Sequence, residues 1–268
     1  MPELLKFAKA SEPLSDEFGF IRTETAQDIL RTLTLIQSIK GPAVSMISGA
    51  PGIGKTETLL HFEREYPEVA LRITIPKGEG NPFDVSANIL NLFNPYRRHD
   101  NDMTVRRNKI MRSLGPGRIL MVDEAQNLFQ RNKASCTKGA SFGWLVAASE
   151  EGGFDLLFCG DLTLSSIMLE FPHLQSRMRR PVLINAAAMG DVDALAADHG
   201  FTDKGGIDLL KAVAKLTGGL RNVDNVLRMA EIFAGKDRLT AAHLKAAIQD
   251  LKLQSFGGKS SNDGSIQT

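Results

Sequence analysis

The chain is poor in cysteine. It has two in 268 residues, Cys136 and Cys159, far apart and without the spacing of metal ligands. That argues against a disulfide framework and fits a reducing, cytoplasmic compartment. It also lacks long apolar runs. None approaches the ~18 residues of a membrane span, and the opening MPELLKFAKASEPLSDEF has no sustained apolar stretch of the kind a secretory leader needs. Net charge is nearly absent too, at +1, so no global field draws the protein to nucleic acid, and any such affinity must come from local patches. No internal repeat is found. What remains is ordinary soluble-protein composition, 43% hydrophobic and 24% charged, in a chain long enough for one large α/β domain with a small satellite.

Short β-type runs alternate with helical patterns over the first two thirds. AVSMIS (43–48), VALRITI (69–75), RILMVDEA (118–125), FDLLFCGD (154–161) and PVLI (181–184) read as strands. TETAQDILRTLTLIQSIKG, TETLLHFEREY, VSANILNLF and TVRRNKIMRSLG read as helices. Strand cores that are apolar throughout, rather than alternating, predict a parallel sheet covered on both faces. From about residue 186 the pattern becomes helical only, broken at Gly218-Gly219 and Gly235, with Thr240 as a helix N-cap. The expected organisation is an N-terminal segment (1–20), an α/β core (21–185), a small helical domain (186–254) and a Gly/Ser-rich, disordered tail (255–268).

GAPGIGKT (49–56) satisfies G-x-x-x-x-G-K-[ST], with a strand before it and a helix after it. Gly49, Gly52 and Gly54 let backbone amides approach phosphate oxygens closely, at the N-terminus of a helix. The expected nucleotide contacts run through Gly49, Ala50, Pro51, Gly52, Ile53, Gly54, Lys55, Thr56 and Glu57. Lys55 would reach the β- and γ-phosphates of ATP, and the Thr56 hydroxyl would hold Mg²⁺. ILMVDE (119–124) ends a buried strand in two acids, placing Asp123 in the Mg²⁺ shell and leaving Glu124 as base or orienter for a water. The bland reading of that pair is two acids at a helix N-terminus. Asp161 at the end of FCGD is either a polar contact near the γ-phosphate or a turn-forming residue after Gly160. Arg221 in GGLRNVDNVL either folds onto the nucleotide or lies on a helix surface.

In this order, P-loop, DE-ended strand, polar strand end, arginines before the last strand and G-G-L-R in a helical region, the chain resembles an AAA+ ATPase over roughly residues 20–252. SMISGAPGIGKTETL, ILMVDEAQNL, LLFCGD and LTGGLRNVDNVL are more narrowly similar to the DNA-transposition ATPases of the phage Mu target-capture type. The resemblance implies a three-layer αβα P-loop core with a helical lid, and an ATPase that forms filaments or rings on double-stranded DNA without sequence preference. It implies a DDE-type transposase as partner, and Arg221 as a lid sensor. Asp161 departs from the neutral residue usual after that glycine, which weakens its sensor role. Only about 20 residues precede the core, too few for the separate DNA-binding domain of the family, so DNA binding would fall to the ATPase domain. Secretion-associated ATPases of the ExeA type share the DEAQ motif and give an alternative, as do a helicase loader and a nucleotide-switch scaffold that does not hydrolyse.

FPHLQSRMRRPVLI (171–184) sets Arg177, Arg179 and Arg180 directly before the last strand. In AAA+ assemblies a neighbour's arginine from this segment completes the site in trans. Arg177 and Arg180 are the candidates, with Arg179 left to pair with an acid or with DNA. For duplex contact there are two basic runs. Residues 96–118 hold seven Lys/Arg against two Asp and include Arg106 and Arg107; residues 130–141 hold Arg131, Lys133 and Lys138 with no acid. A solvated charged face is the competing reading of both. Neither run is interleaved with aromatics for base stacking, which favours duplex over single strands.

Overall fold

The computed structural model describes residues 19–95, 100–129 and 139–253. Five strands, β1 (Val44–Gly49), β2 (Ala70–Thr74), β3 (Ile119–Asp123), β4 (Asp155–Gly160) and β5 (Val182–Ile184), form one sheet in the order β2-β3-β4-β1-β5. Every pairing is parallel. All residues of β1, β3 and β4 are buried, whereas the edge strands β2 and β5 are only partly so. Alternate residues of the inner strands therefore feed two separate apolar layers. Ile119, Met121, Leu157 and Cys159 face α1 (Glu24–Gln37) and α2 (Lys55–Glu65). Leu120, Val122, Leu156 and Phe158 face α3 (Pro82–Phe93), α4 (Met103–Leu114), α5 (Ala140–Gly152), α6 (Leu162–Leu169) and α7 (Pro172–Gln175).

Helix α1 shows how the sequence builds one of these layers. Ile29, Leu33 and Ile36 recur at helical spacing and are fully buried against the sheet, each worth roughly 1.5–3 kcal/mol of apolar transfer. Thr23 starts the helix by accepting a hydrogen bond from the Ala26 amide at 3.1 Å, a cap worth ~1 kcal/mol. Gly41 follows the helix with φ +83, where the chain turns into β1.

Helices α8 (Met189–Asp198), α9 (Lys204–Ala214), α10 (Gly219–Ala234) and α11 (Ala241–Asp250) pack around their own core, including Val192, Leu210, Val223, Leu227 and Leu244. Several contacts bind this helical lid to the rest, two of them as follows. Ile53 of the P-loop, 1% exposed, is part of the lid core. The buried Asp191 carboxylate accepts hydrogen bonds from the Glu24 amide (2.7 Å) and the Thr25 hydroxyl (2.5 Å) at the start of α1. Thr240 does precede α11, but its hydroxyl makes no capping bond and lies 3.3 Å from His243 Nδ1. Among the described residues, no helix is long and apolar enough to cross a membrane.

Candidate nucleotide site

Strand β1 enters the P-loop at its carboxyl end, where parallel sheets present ligands. Gly52 (φ +74) and Gly54 (φ +89) take left-handed conformations that L side chains rarely adopt. Gly52 has a second constraint, because a Cβ there would sit 1.7 Å from the Gly218 carbonyl oxygen. The start of α10 therefore lies directly on the loop, and the Arg221 amide donates to the Gly52 carbonyl at 3.1 Å. Lys55 donates from Nζ to the carbonyls of Gly49 (2.7 Å) and Ala50 (2.8 Å). Burial lowers its pKa, and the negative charge of neighbouring Asp123, Glu124 and Asp161 works against that shift. Pro51 and Glu57 are exposed, and the first turn of α2 is reinforced by the Thr58 hydroxyl bonding Gly54 O at 2.9 Å.

The acidic strand end meets this loop. Thr56 Oγ1 donates to Asp123 Oδ2 at 2.9 Å, and Asp123 is 2% exposed. Two hard oxygens at that separation match neighbouring ligands of an octahedral ion with bonds of ~2.1 Å, so the pair suits Mg²⁺ with the remaining positions left to water and phosphate. Glu124 is exposed, with φ 54, and its amide donates to Asp123 Oδ1 at 3.0 Å. This left-handed turn points the two neighbouring carboxylates differently. Asp123 is drawn into the sheet and Glu124 stands out toward solvent. Cys159 is buried beside them, and burial together with the Asp123 charge pushes its thiol well up, so it stays protonated.

Arg72 and Asp191 have no sequence motif to announce them, and Gln126 closes the DEAQ motif, which does not by itself show what its side chain holds. Arg72 lies with Nη1 3.8 Å from Asp123 Oδ2 and is held by Glu63 and by Thr74 Oγ1 (2.8 Å). Its position follows from register, since Thr74 pairs with Asp123 and Arg72 with Met121. Gln126 bridges Glu124 and the end of β4. Asp191 is the lid tie described above. Only strand pairing and tertiary packing bring these side chains to the site.

The remaining expected residues divide. The Asp161 side chain takes the turn-forming alternative: it caps α6, accepting from the Thr163 amide at 2.9 Å. The Arg221 side chain is exposed beside the P-loop and makes no hydrogen bond or ion pair among the described residues. Arg177 is exposed on the surface after α7, paired with Glu150 at 2.7 Å and bonded to His173 O at 3.1 Å. Arg179 is exposed, and its side chain has no partner among the described residues.

Arg180 is held by its own chain. Its guanidinium is tied within the chain to the Asp28 carboxylate (2.5 Å), the Asp28 carbonyl (3.3 Å) and the Thr32 hydroxyl on α1, so it clamps the arginine segment to its own core. Arg106 is turned inward. It is 3% exposed, stacks 3.7 Å over Phe83, and donates to Phe83 O (3.1 Å) and Ser86 Oγ (3.0 Å), which leaves no charge facing a duplex. Arg107 pairs by charge with Glu151 across α4 and α5, and its side chain is largely covered. Arg131, Lys133 and Lys138 lie outside the described residues.

A P-loop between β1 and α2, a hydroxyl–carboxylate pair across to β3, and a helical lid seated on the loop define a P-loop ATPase of the AAA+ class. Residues 38–168 match the family described as AAA domain. Residues 176–251 match the family described as Mu B transposition protein, C terminal. Within the AAA+ class the chain resembles the phage Mu B proteins. It is 26% identical to the ATP-dependent target DNA activator B of Escherichia phage Mu and 25% identical to that of Escherichia phage D108, in each case over 87% of this chain and 74% of the relative. Solved structures share the fold at lower identity. The ORC1 protein of Aeropyrum pernix in complex with DNA superposes with a TM-score of 0.63 at 16% identity, over 86% of this chain and 66% of that one. The RuvB Holliday junction branch migration motor of Thermotoga maritima gives 0.55 at 16%, over 89% and 72%.

Proposed function

We propose that this protein is an ATP-hydrolysing, oligomeric DNA-binding protein of transposition, which assembles on double-stranded DNA without sequence preference and presents it to a DDE-type transposase in the cytoplasm. The observation that carries this reading is the junction at Gly52. The segment similar to Mu B transposition proteins meets the P-loop there, through the Arg221 amide and the Gly218 carbonyl. Nucleotide at the loop and the position of that segment are thereby mechanically linked.

Each site residue takes a role its surroundings support. Backbone amides of Gly52–Thr56 receive phosphate oxygens at the N-terminus of α2. Lys55 exchanges its two carbonyl partners for phosphate. Thr56 and Asp123 would hold Mg²⁺, which supplies positive charge to the phosphate oxygens when bound. Glu124 orients and deprotonates the attacking water. Arg221 reads the γ-phosphate from the lid.

A neighbouring protomer would add a further cation for the transferring phosphoryl group, a contribution of ~10³–10⁵ in rate. Arg177 is the residue for that task. Its pairing with Glu150 is exposed on both sides (46% and 45%), and such pairs are worth only ~0–1 kcal/mol, so a neighbour's phosphate can compete for it. Arg131, Lys133 and Lys138 remain the candidate duplex contacts, with affinity that falls steeply with salt.

Two experiments test the reading. Electron microscopy with ATP and duplex DNA should show coated DNA; bare DNA under conditions of saturating nucleotide binding refutes the assembly. Mixing Glu124→Gln with Arg177→Ala, each inactive alone, should restore part of the hydrolysis, because mixed interfaces contain one intact composite site. No recovery with assembly intact rules out Arg177 as the donor in trans.

A further inference from the structure

We infer that Gln126 is the positioning residue for Glu124, holding one carboxylate oxygen so that the other is aimed at the attacking water. The inference rests on the reading of Glu124 as the base. It starts from the way the chain leaves β3. Glu124 adopts a left-handed conformation (φ 54) and opens a 3₁₀ turn over Ala125–Leu128. Ala125 and Leu128 are buried (0% and 1% exposed), and Asn127 Nδ2 donates to Ile75 O at 2.8 Å. The turn is thus anchored on both sides of Gln126, whereas the Glu124 side chain stands exposed. An unrestrained carboxylate there would sample several rotamers, of which few face a phosphate.

Gln126 supplies the restraint. Its Nε2 donates to Glu124 Oε2 at 2.5 Å, and its Oε1 accepts from the Asp161 amide at 3.2 Å. The chemistry fixes which end of the amide is which. An ionised carboxylate only accepts and a backbone N–H only donates, so the amide cannot be reversed without losing both bonds. Its seat is also shaped by Gly160, where a Cβ would fall 2.4 Å from Gln126 Oε1. Asp161 in turn caps α6, the helix that leads to the arginine segment. The base is therefore tethered to the junction of β4 and α6, one end of which also carries the Ser48 hydroxyl of β1, bonded to Asp161 O at 2.7 Å. With Oε2 held, Oε1 of Glu124 is the oxygen left to take the proton of water. A side chain held in this way delivers general-base catalysis that a free one does not.

The discriminating variant is Gln126→Glu. It keeps the chain length and the acceptor for the Asp161 amide but cannot donate to Glu124. A purely structural role predicts wild-type behaviour for it; a positioning role predicts the same defect as Gln126→Ala. The expected result for both is a drop in kcat of about 10-fold or more, out of the ~10²–10⁴ that a general base contributes, with ATP affinity measured by fluorescent-nucleotide titration within about twofold of wild type. Gly160→Ala, which displaces the amide without removing it, should lower kcat in the same sense. Hydrogen exchange at the Asp161 amide gives a readout apart from turnover: faster in Gln126→Ala, close to wild type in Gln126→Glu. Glu124→Gln is measured beside them. If Glu124→Gln hydrolyses normally, the reading of Glu124 as base falls. If Glu124→Gln is inactive while Gln126→Glu keeps full turnover, or if either Gln126 variant hydrolyses faster than wild type, the positioning role is overturned and the base assignment stands.

Discussion

Replacing Asp155 with asparagine should stabilise the protein at neutral pH and leave it unchanged in acid. Asp155 opens β4 at the end of the sheet away from the P-loop, is 8% exposed, and accepts one hydrogen bond, from the Ala43 amide at 2.8 Å. Burial raises its pKa from 3.8 to about 6, against the smaller opposing effect of that hydrogen bond. The folded state thus binds this proton more tightly than the unfolded chain does. Stability from the group is complete below pH ~4 and is lost as pH rises through about 6. A shift of about two units at ~1.4 kcal/mol each makes the charged form a burden of roughly 3 kcal/mol at pH 7.5. Asparagine keeps an acceptor for Ala43 and carries no charge, so Asp155→Asn should gain 1–3 kcal/mol at pH 7.5, a Tm rise of roughly 2–12 °C for a chain of this size, and nothing near pH 4. Urea unfolding of both proteins from pH 4 to 8 reads this directly, with nucleotide affinity as a control that should not move. Parallel pH dependence of the two proteins, or a variant less stable than wild type at pH 7.5, would refute the reasoning.

Three further substitutions test other features of the structure. Arg180→Ala should cost about 1 kcal/mol in urea unfolding, since its pair with Asp28 is part-exposed, and should leave stimulated hydrolysis in place. Arg180→Gly should be the milder change by ~1 kcal/mol, because φ is +47 at this position and glycine relieves that strain; equal losses would show that the backbone is not strained there. Gly52→Ala should displace the lid, since its Cβ would lie 1.7 Å from Gly218 O, and lower both ATP affinity, by about an order of magnitude or more, and Tm. Unaltered affinity in a fluorescent-nucleotide titration would show that the lid does not bear on the loop.

Much of the nucleotide site was legible because its information is local. GAPGIGKT and VDE are consecutive residues, and their strands are apolar on both faces, so motif and context could be read from one stretch each. The arginines were not, because their fate depends on residues far away in sequence. Arg177, Arg179 and Arg180 look equivalent along the chain, but only the third meets Asp28 and Thr32 of α1. The surroundings of Arg106 were not legible for a related reason. A basic helical stretch has the composition of a solvated face, yet α4 turns this one side chain under α3, where the Phe83 ring covers its guanidinium. Arg72 and Gln126 reach the acidic pair through strand register and a turn, neither of which leaves a mark in composition.

The place of Ile53 has an energetic consequence. This side chain belongs to the P-loop by sequence and to the lid by packing, so the lid cannot swing clear of the loop without exposing it to water. Uncovering an isoleucine costs roughly 1.5–3 kcal/mol, which holds a fully opened lid to about one molecule in ten to one in two hundred from this contact alone. The lid is thereby latched to the loop by the loop's own side chain.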